Sequence, residues 1–192
     1  MDAARASWLA DGSRMNLVAV VGSARRDGDC TRLIDAVLAG RPAQRFDLAS
    51  LHVRDYEYGR AVEGDDFLAV AEALANADGV LFATPVYWYA MSGVLKRFFD
   101  RLTDLITVQK PLGRRLAGRS VWVAACGTDP ALPEGFDVPF RRTAAYFDMI
   151  YDSTLYVSIR NGEVLSSEQA READEFGARI FRAAASRTTQ PE

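Results

Sequence analysis

The chain has 192 residues, 49% of them hydrophobic and 26% charged, with a formal net charge of −3. That size suits one domain with a substantial core, and the charge lacks the basic field of a nucleic-acid binder. No apolar run approaches the roughly 20 residues that cross a bilayer, and one histidine with two cysteines makes neither a metal cluster nor a disulfide framework. A reducing cytoplasm is the expected setting, with no membrane or nucleic-acid partner. Residues 1–15 are polar and Ala-rich and read as a tail or short extra helix, residues 16–186 as one domain, and residues 187–192 as a second tail.

Taken in order, Asn16–Val21 is a short apolar run ending at Gly22, as in a buried parallel strand. Thr31–Leu38 carries Leu33, Ile34, Val37 and Leu38 at helical spacing, and Gly40-Arg41-Pro42 stops it. Gln44–Leu48 is a short strand, and Ala49–Gly64 has no clear period and reads as a loop. Asp65 and Asp66 are expected to cap a helix running through Ala77. Gly79–Ala83 is the third strand, Thr84–Ser92 an aromatic loop, and Gly93–Ile106 one continuous helix. The strand Ser120–Ala125, the helix Pro139–Phe147, the strand Ile150–Ser158 and a terminal helix from Ser167 to about Ala184 complete the pattern. Five strands alternating with helices argue for a parallel sheet covered on both faces, whose ligands bind beyond the C-terminal strand ends. The segments after Val21, Ala83 and Ala125 therefore hold the site.

After Val21 come Gly22, Ser23, Ala24, Arg25, Arg26, Asp27, Gly28, Asp29, Cys30 and Thr31. A strand, a turn with glycines and hydroxyls, and a helix start make a phosphate cradle, because unpaired N–H groups and the helix dipole face the ligand. Ser23 and Thr31 add hydroxyls and Arg25 a planar charged fork; Asp27 and Asp29 read as turn and cap residues facing away. Five residues separate Gly22 from Gly28 and Asp29 follows, so this is not a P-loop. The alternative is an ordinary strand-to-helix turn with surface arginines.

The second segment is Thr84-Pro85-Val86-Tyr87-Trp88-Tyr89-Ala90-Met91-Ser92-Gly93. Three consecutive aromatics cannot all enter the core, and a flat heteroaromatic ligand explains those left outside. A subunit interface is the alternative, and the two are compatible. The third segment, Cys126-Gly127-Thr128-Asp129, offers backbone N–H groups to the edge of such a ring, or is simply a tight turn. Asp55-Tyr56-Glu57-Tyr58 is either a flap or a surface loop, His52 a loop residue, and Lys96, Arg97, Asp100 and Arg101 a solvated, salt-bridged helix face.

The motifs G-S-x-R-x-x-G (Gly22, Ser23, Arg25, Gly28) and P-x-Y-W-Y-x-M-S-G-x-L-K-x-F-x-D-R (Pro85 to Arg101) resemble the NADPH-dependent FMN reductase family of flavodoxin-like oxidoreductases. The resemblance implies a three-layer α/β sandwich with a five-stranded parallel sheet of order 2-1-3-4-5. It puts the FMN phosphate on Ser23, Arg25, Cys30 and Thr31. It puts the ribityl chain and ring on Pro85, Val86, Tyr87, Trp88, Tyr89 and Met91, with Cys126, Gly127, Thr128 and Asp129 bordering the ring. One departure stands out: Asp29 and Cys30 occupy positions where the family usually has Asn followed by Thr or Ser. The implied activity is hydride transfer from NADPH or NADH through FMN to a small acceptor such as a flavin, a quinone, or an azo or nitro compound. No protein acid or base is required and no metal is expected. A homodimer or homotetramer is the expected assembly, with Asp100 and Arg101 at the subunit contact. The alternatives are a flavodoxin-type electron carrier serving a protein partner, and a family member that has lost its flavin.

Overall fold

Apolar runs that alternate with amphipathic stretches can bury themselves only by stacking strands side by side and covering them with helices. The computed structural model describes residues 15–60, 64–160 and 163–188, with side chains through residue 183. The expected N-terminal tail lies outside these residues, save position 15. The strands are β1 (Leu17–Val21), β2 (Gln44–Asp47), β3 (Gly79–Tyr87), β4 (Ala90–Met91), β5 (Ser120–Gly127) and β6 (Ile150–Ser158). The helices are α1 (Asp29–Leu38), α2 (Phe67–Asn76), α3 (Gly93–Arg101), α4 (Asp104–Thr107), α5 (Lys110–Arg114), α6 (Val138–Tyr146) and α7 (Ser167–Thr188).

The parallel sheet runs β2-β1-β3-β5-β6, with the two-residue β4 paired to β3. Setting β4 aside, this is the expected order 2-1-3-4-5. Strand periodicity sends alternate residues to opposite faces. Leu17, Ala19 and Val21 of β1, Leu81 and Ala83 of β3, and Trp122 and Ala124 of β5 pack under α1 and α7. Val18 and Val20, Val80 and Phe82, and Val121 and Val123 pack under α2, α3 and α6. Burying each large apolar side chain in these layers contributes about 1.5–3 kcal/mol. On the first face α7 crosses α1 so closely that a Cβ at Gly177 would overlap the Val37 carbonyl.

Several elements differ from the sequence expectation. The strand expected over Gln44–Leu48 stops at Asp47, whose carboxylate accepts from Ala49 N at 3.1 Å and starts a 3-10 turn over Leu48–Ser50. Only one of the two expected caps of α2 accepts from its first turn. Asp65 Oδ1 accepts from Phe67 N at 3.2 Å, whereas Asp66 Oδ2 accepts from His52 N at 2.7 Å and holds the preceding loop. The helix expected over Gly93–Ile106 breaks after Arg101, where Leu102 N and Thr103 N bond three residues back instead of four. Across the break Arg101 Nε donates to Asp104 Oδ2 at 2.9 Å. The terminal helix runs to Thr188, so the expected tail from residue 187 begins inside it.

Candidate functional site

β1, β3 and β5 end together, with Val21 beside Ala83, Ala83 beside Ala124, and Pro85 beside Cys126. The first wall grows from β1. Gly22 N donates to Ala83 O at 2.7 Å, and the chain then leaves the sheet through a turn in which Ser23 Oγ accepts from Arg25 N at 3.2 Å. Gly28 is the N-cap of α1, and its carbonyl accepts from Thr31 N and Arg32 N, each at 3.1 Å. The N–H groups of Asp29 and Cys30 therefore have no acceptor within the helix. Thr31 Oγ1 is buried without a hydrogen-bond partner. Orphaned donors at the positive end of a helix are what an anion requires. Asp29 lines the cavity, and Arg32 Nη2 ties its carboxylate, which offsets its charge.

The second wall is a hairpin rather than the expected loop. β3 continues through Tyr87 and returns as β4, with Val86 opposite Met91 and Tyr87 opposite Ala90. Trp88 and Tyr89 form the two-residue turn, at φ 49° and 64°. Positive φ at both central positions is the requirement of a type I′ turn, which favours Asn-Gly. The turn displays its aromatics: Tyr87 is 49%, Trp88 92% and Tyr89 67% exposed.

One serine joins the two walls. Ser92 Oγ donates to the Gly22 carbonyl and accepts from Leu95 N at 3.1 Å, capping α3. Ser92 N donates to Thr84 Oγ1 at 3.0 Å. Gly22 is obligatory here because a Cβ would overlap the Leu95 side chain.

The third wall is the end of β5. A Cβ on Gly127 would meet Tyr156 Oη at 3.0 Å and Val86 Cβ at 3.2 Å, so the backbone is held between β6 and the hairpin. Tyr156 Oη donates to Asp129 O at 2.8 Å, and Ile159 N to Gly127 O at 2.7 Å. Burial, and then the negative charge of Asp129, push the Tyr156 phenol above its usual value, so it stays a donor.

These walls enclose a cavity of about 270 Å³. Of the residues expected at the site, Ser23, Arg25, Cys30, Pro85, Val86, Tyr87, Cys126, Gly127 and Thr128 line it. Trp88, Tyr89 and Asp129 line an adjoining recess of about 220 Å³ that shares Val86 and Thr128. Thr31 lines neither cavity nor recess, and Met91 is buried in the core under α3. Ile159 also lines the cavity and was not foreseen, although it directly follows β6 and the strand-end rule points to it. Ser92 and Tyr156 act through long-range bonds that no local pattern announces.

Elsewhere, Tyr56 and Tyr58 stack edge-on at 4.9 Å beside Arg97, Asp100 and Thr103 and do not line the cavity. Lys96 pairs with Asp100 and Arg97 with Asp55 at the surface. Arg101 departs from the expected solvated face. It is fully buried, bonded to Asp65 and, at 2.9 Å, to Asp104, with its guanidinium 4.6 Å from the Phe67 ring centroid. Among the described residues no group of three or more His, Cys, Asp or Glu could hold a metal ion, and no helix is long and apolar enough to cross a membrane.

A parallel sandwich of this strand order, with its cavity at the C-terminal strand ends, is a flavodoxin-like α/β protein. Residues 15–163 match the family described as NADPH-dependent FMN reductase, and the chain belongs to that family. It is 26% identical over 172 residues to YwqN of Bacillus subtilis (strain 168), whose name describes an NAD(P)H-dependent FMN-containing oxidoreductase; the match covers 83% of this chain and 94% of that one. It is 29% identical over 170 residues to a 2-hydroxy-1,4-benzoquinone reductase of Burkholderia sp, covering 78% of this chain and 80% of that one. In fold it is similar to the Trp repressor binding protein from Bacillus subtilis, with a TM-score of 0.68 at 21% identity, covering 84% of this chain and 97% of that one. The expectations of an oxidoreductase, of FMN and of NAD(P)H are met at the level of the family.

Proposed function

We propose that this chain binds FMN in the cavity and uses NADPH or NADH to reduce a small, planar acceptor such as a flavin, a quinone, or an azo or nitro compound. The observation that carries the reading is the convergence of three strand ends on one cavity, with the first turn of α1 on one side and an aromatic hairpin on the other. The residues fit the cofactor. Ser23 and Arg25 would hold the phosphate through their side chains, and Asp29 and Cys30 through the first-turn amides of α1. Pro85, Val86 and Tyr87 would cover the ribityl chain and ring, and Gly127 and Thr128 would offer amides to the ring edge. FMN held there would supply the redox chemistry between a nicotinamide donor and the acceptor.

The chain contributes position and electrostatics. Amides fixed at the end of β5 favour negative charge at the ring edge without reorganising. Trp88, Tyr89 and Asp129 shape the recess where a planar acceptor stacks, which supports an enzyme over an electron carrier that docks a protein. The exposed aromatic hairpin also supports association with a second copy, as a homodimer or homotetramer.

The test is an absorbance spectrum after FMN addition and desalting, before and after anaerobic NADPH. A retained flavin band that bleaches, with NADPH consumed on addition of a quinone and no protein partner, is expected. A colourless protein after desalting overturns the reading. A band that bleaches only with a partner reductase supports the electron-carrier alternative.

A further inference from the structure

Cys30 and Cys126 are the only two cysteines of the chain and lie far apart in sequence. Cys30 is the second residue of α1 and Cys126 the last but one of β5. Both are free, both are buried in the layer between the sheet and α1, and both line the cavity. The interaction with the Cys126 side chain, and then burial, hold the Cys30 thiol well above its usual value. The redox capacity of this pair has no role in the reaction proposed above.

We propose that Cys30 and Cys126 are a modification site, joined by a reversible disulfide across the cavity when the chain meets a hydroperoxide, and that the disulfide weakens the anion cradle. Bond formation stands on the cavity and the buried layer that the two thiols share; the effect on the cofactor rests on the proposed function. The chemistry balances in two steps. One sulfur, as thiolate, attacks hydrogen peroxide; an S–O bond forms, the O–O bond breaks, and the departing hydroxide takes a proton to leave as water. The second sulfur then attacks that sulfenic sulfur; the S–S bond forms, the S–O bond breaks, and a second water leaves. Two thiols lose two electrons and two protons, and one peroxide becomes two waters. Because the reacting form is a thiolate and Cys30 is held protonated, the reaction is slow at neutral pH and accelerates as pH rises.

The consequence follows from where Cys30 sits. A covalent link ties the first turn of α1 to the end of β5, and the amides of Asp29 and Cys30 move with it. Those amides are the orphaned donors of the cradle.

The test treats the full-length protein, with and without FMN, with hydrogen peroxide at pH 7 and pH 8.5, followed by denaturing alkylation and intact-mass measurement. The expected result is a loss of about 2 Da with neither cysteine alkylated, reversed by dithiothreitol, faster at the higher pH and slowed by FMN. Cys30→Ser and Cys126→Ser each abolish the mass loss. FMN titration of the oxidised chain is expected to give a Kd raised about tenfold, restored by dithiothreitol. Two alkylated cysteines, or stepwise oxygen addition without a link, overturns the disulfide. A disulfide with unchanged FMN affinity overturns the regulatory half. A chain that forms the disulfide yet never binds FMN defeats the functional reading and leaves the modification site standing.

Discussion

Ser92 and Gly127 each perform a task that depends on one atom or its absence. The Ser92 hydroxyl satisfies the Gly22 carbonyl and the first turn of α3 together, so Ser92→Ala removes an N-cap and strands a buried acceptor. The expected cost is about 2 kcal/mol, read as a lower urea midpoint, with FMN affinity falling several-fold because the cradle and hairpin lose their link. An unchanged FMN Kd in a folded Ser92→Ala protein would show that the two walls are positioned independently. At Gly127, alanine must push back both Val86 and the Tyr156 hydroxyl. Tyr156→Phe removes the bond to Asp129 O without adding bulk, at a cost of about 1 kcal/mol. Both variants are expected to raise the KM for the acceptor more than they lower kcat, since the Asp129 segment borders the recess; steady-state kinetics with a quinone separates the two.

At the scale of elements, the β3–β4 hairpin places Trp88 and Tyr89 in left-handed conformations that residues with a Cβ adopt at a cost of about 1–2 kcal/mol each. Local preference favours Asn-Gly at this turn, and neither aromatic recovers the cost by burial. Strain kept at an exposed tip beside a cavity points to function. The double substitution Trp88→Asn with Tyr89→Gly is therefore expected to raise Tm by several degrees while lowering kcat/KM for a quinone at least fivefold. A Tm gain with full activity would remove the hairpin from the acceptor site. The break between α3 and α4 belongs to this scale too. The three-residue bonds at Leu102 and Thr103 end α3, and Arg101 and Asp104, three positions apart, pair across the break.

At the scale of the whole molecule, Arg101 joins parts of the chain that are far apart in sequence. It bonds Asp65 before α2, Asp104 in α4 and the Arg54 carbonyl in the loop that follows the 3-10 turn. Burial works to raise the Asp65 carboxyl, but the bonds from Arg101, Arg54 N and Phe67 N outweigh it and hold the group below its usual value. A carboxylate lowered on folding stabilises the protein above its unfolded pKa of about 3.9, and that contribution fades as pH falls through the lower folded value. Asp65→Asn is expected to cost about 3 kcal/mol near neutral pH by leaving the buried guanidinium under-compensated. The gap to the parent chain should narrow below about pH 4, a comparison that urea midpoints across pH would make. A constant gap would mean that Asp65 acts through shape rather than charge.

The amino-acid sequence by itself determined the alternation of strands and helices, the two buried faces of each central strand, and the strand ends at which the cavity lies. These are readable because period and turn chemistry are local: Leu17–Val21 records its own burial, and Gly22 and Gly28 record their own turn. Only the tertiary structure decided that Ser92 reaches a carbonyl 70 positions away, that Arg101 is buried among acids, that Tyr156 braces Asp129, and that two distant cysteines share one cavity. The physical reason is that such contacts depend on strand register and on how helices settle over the sheet. Those are properties of many residues packed together, and no single segment carries them.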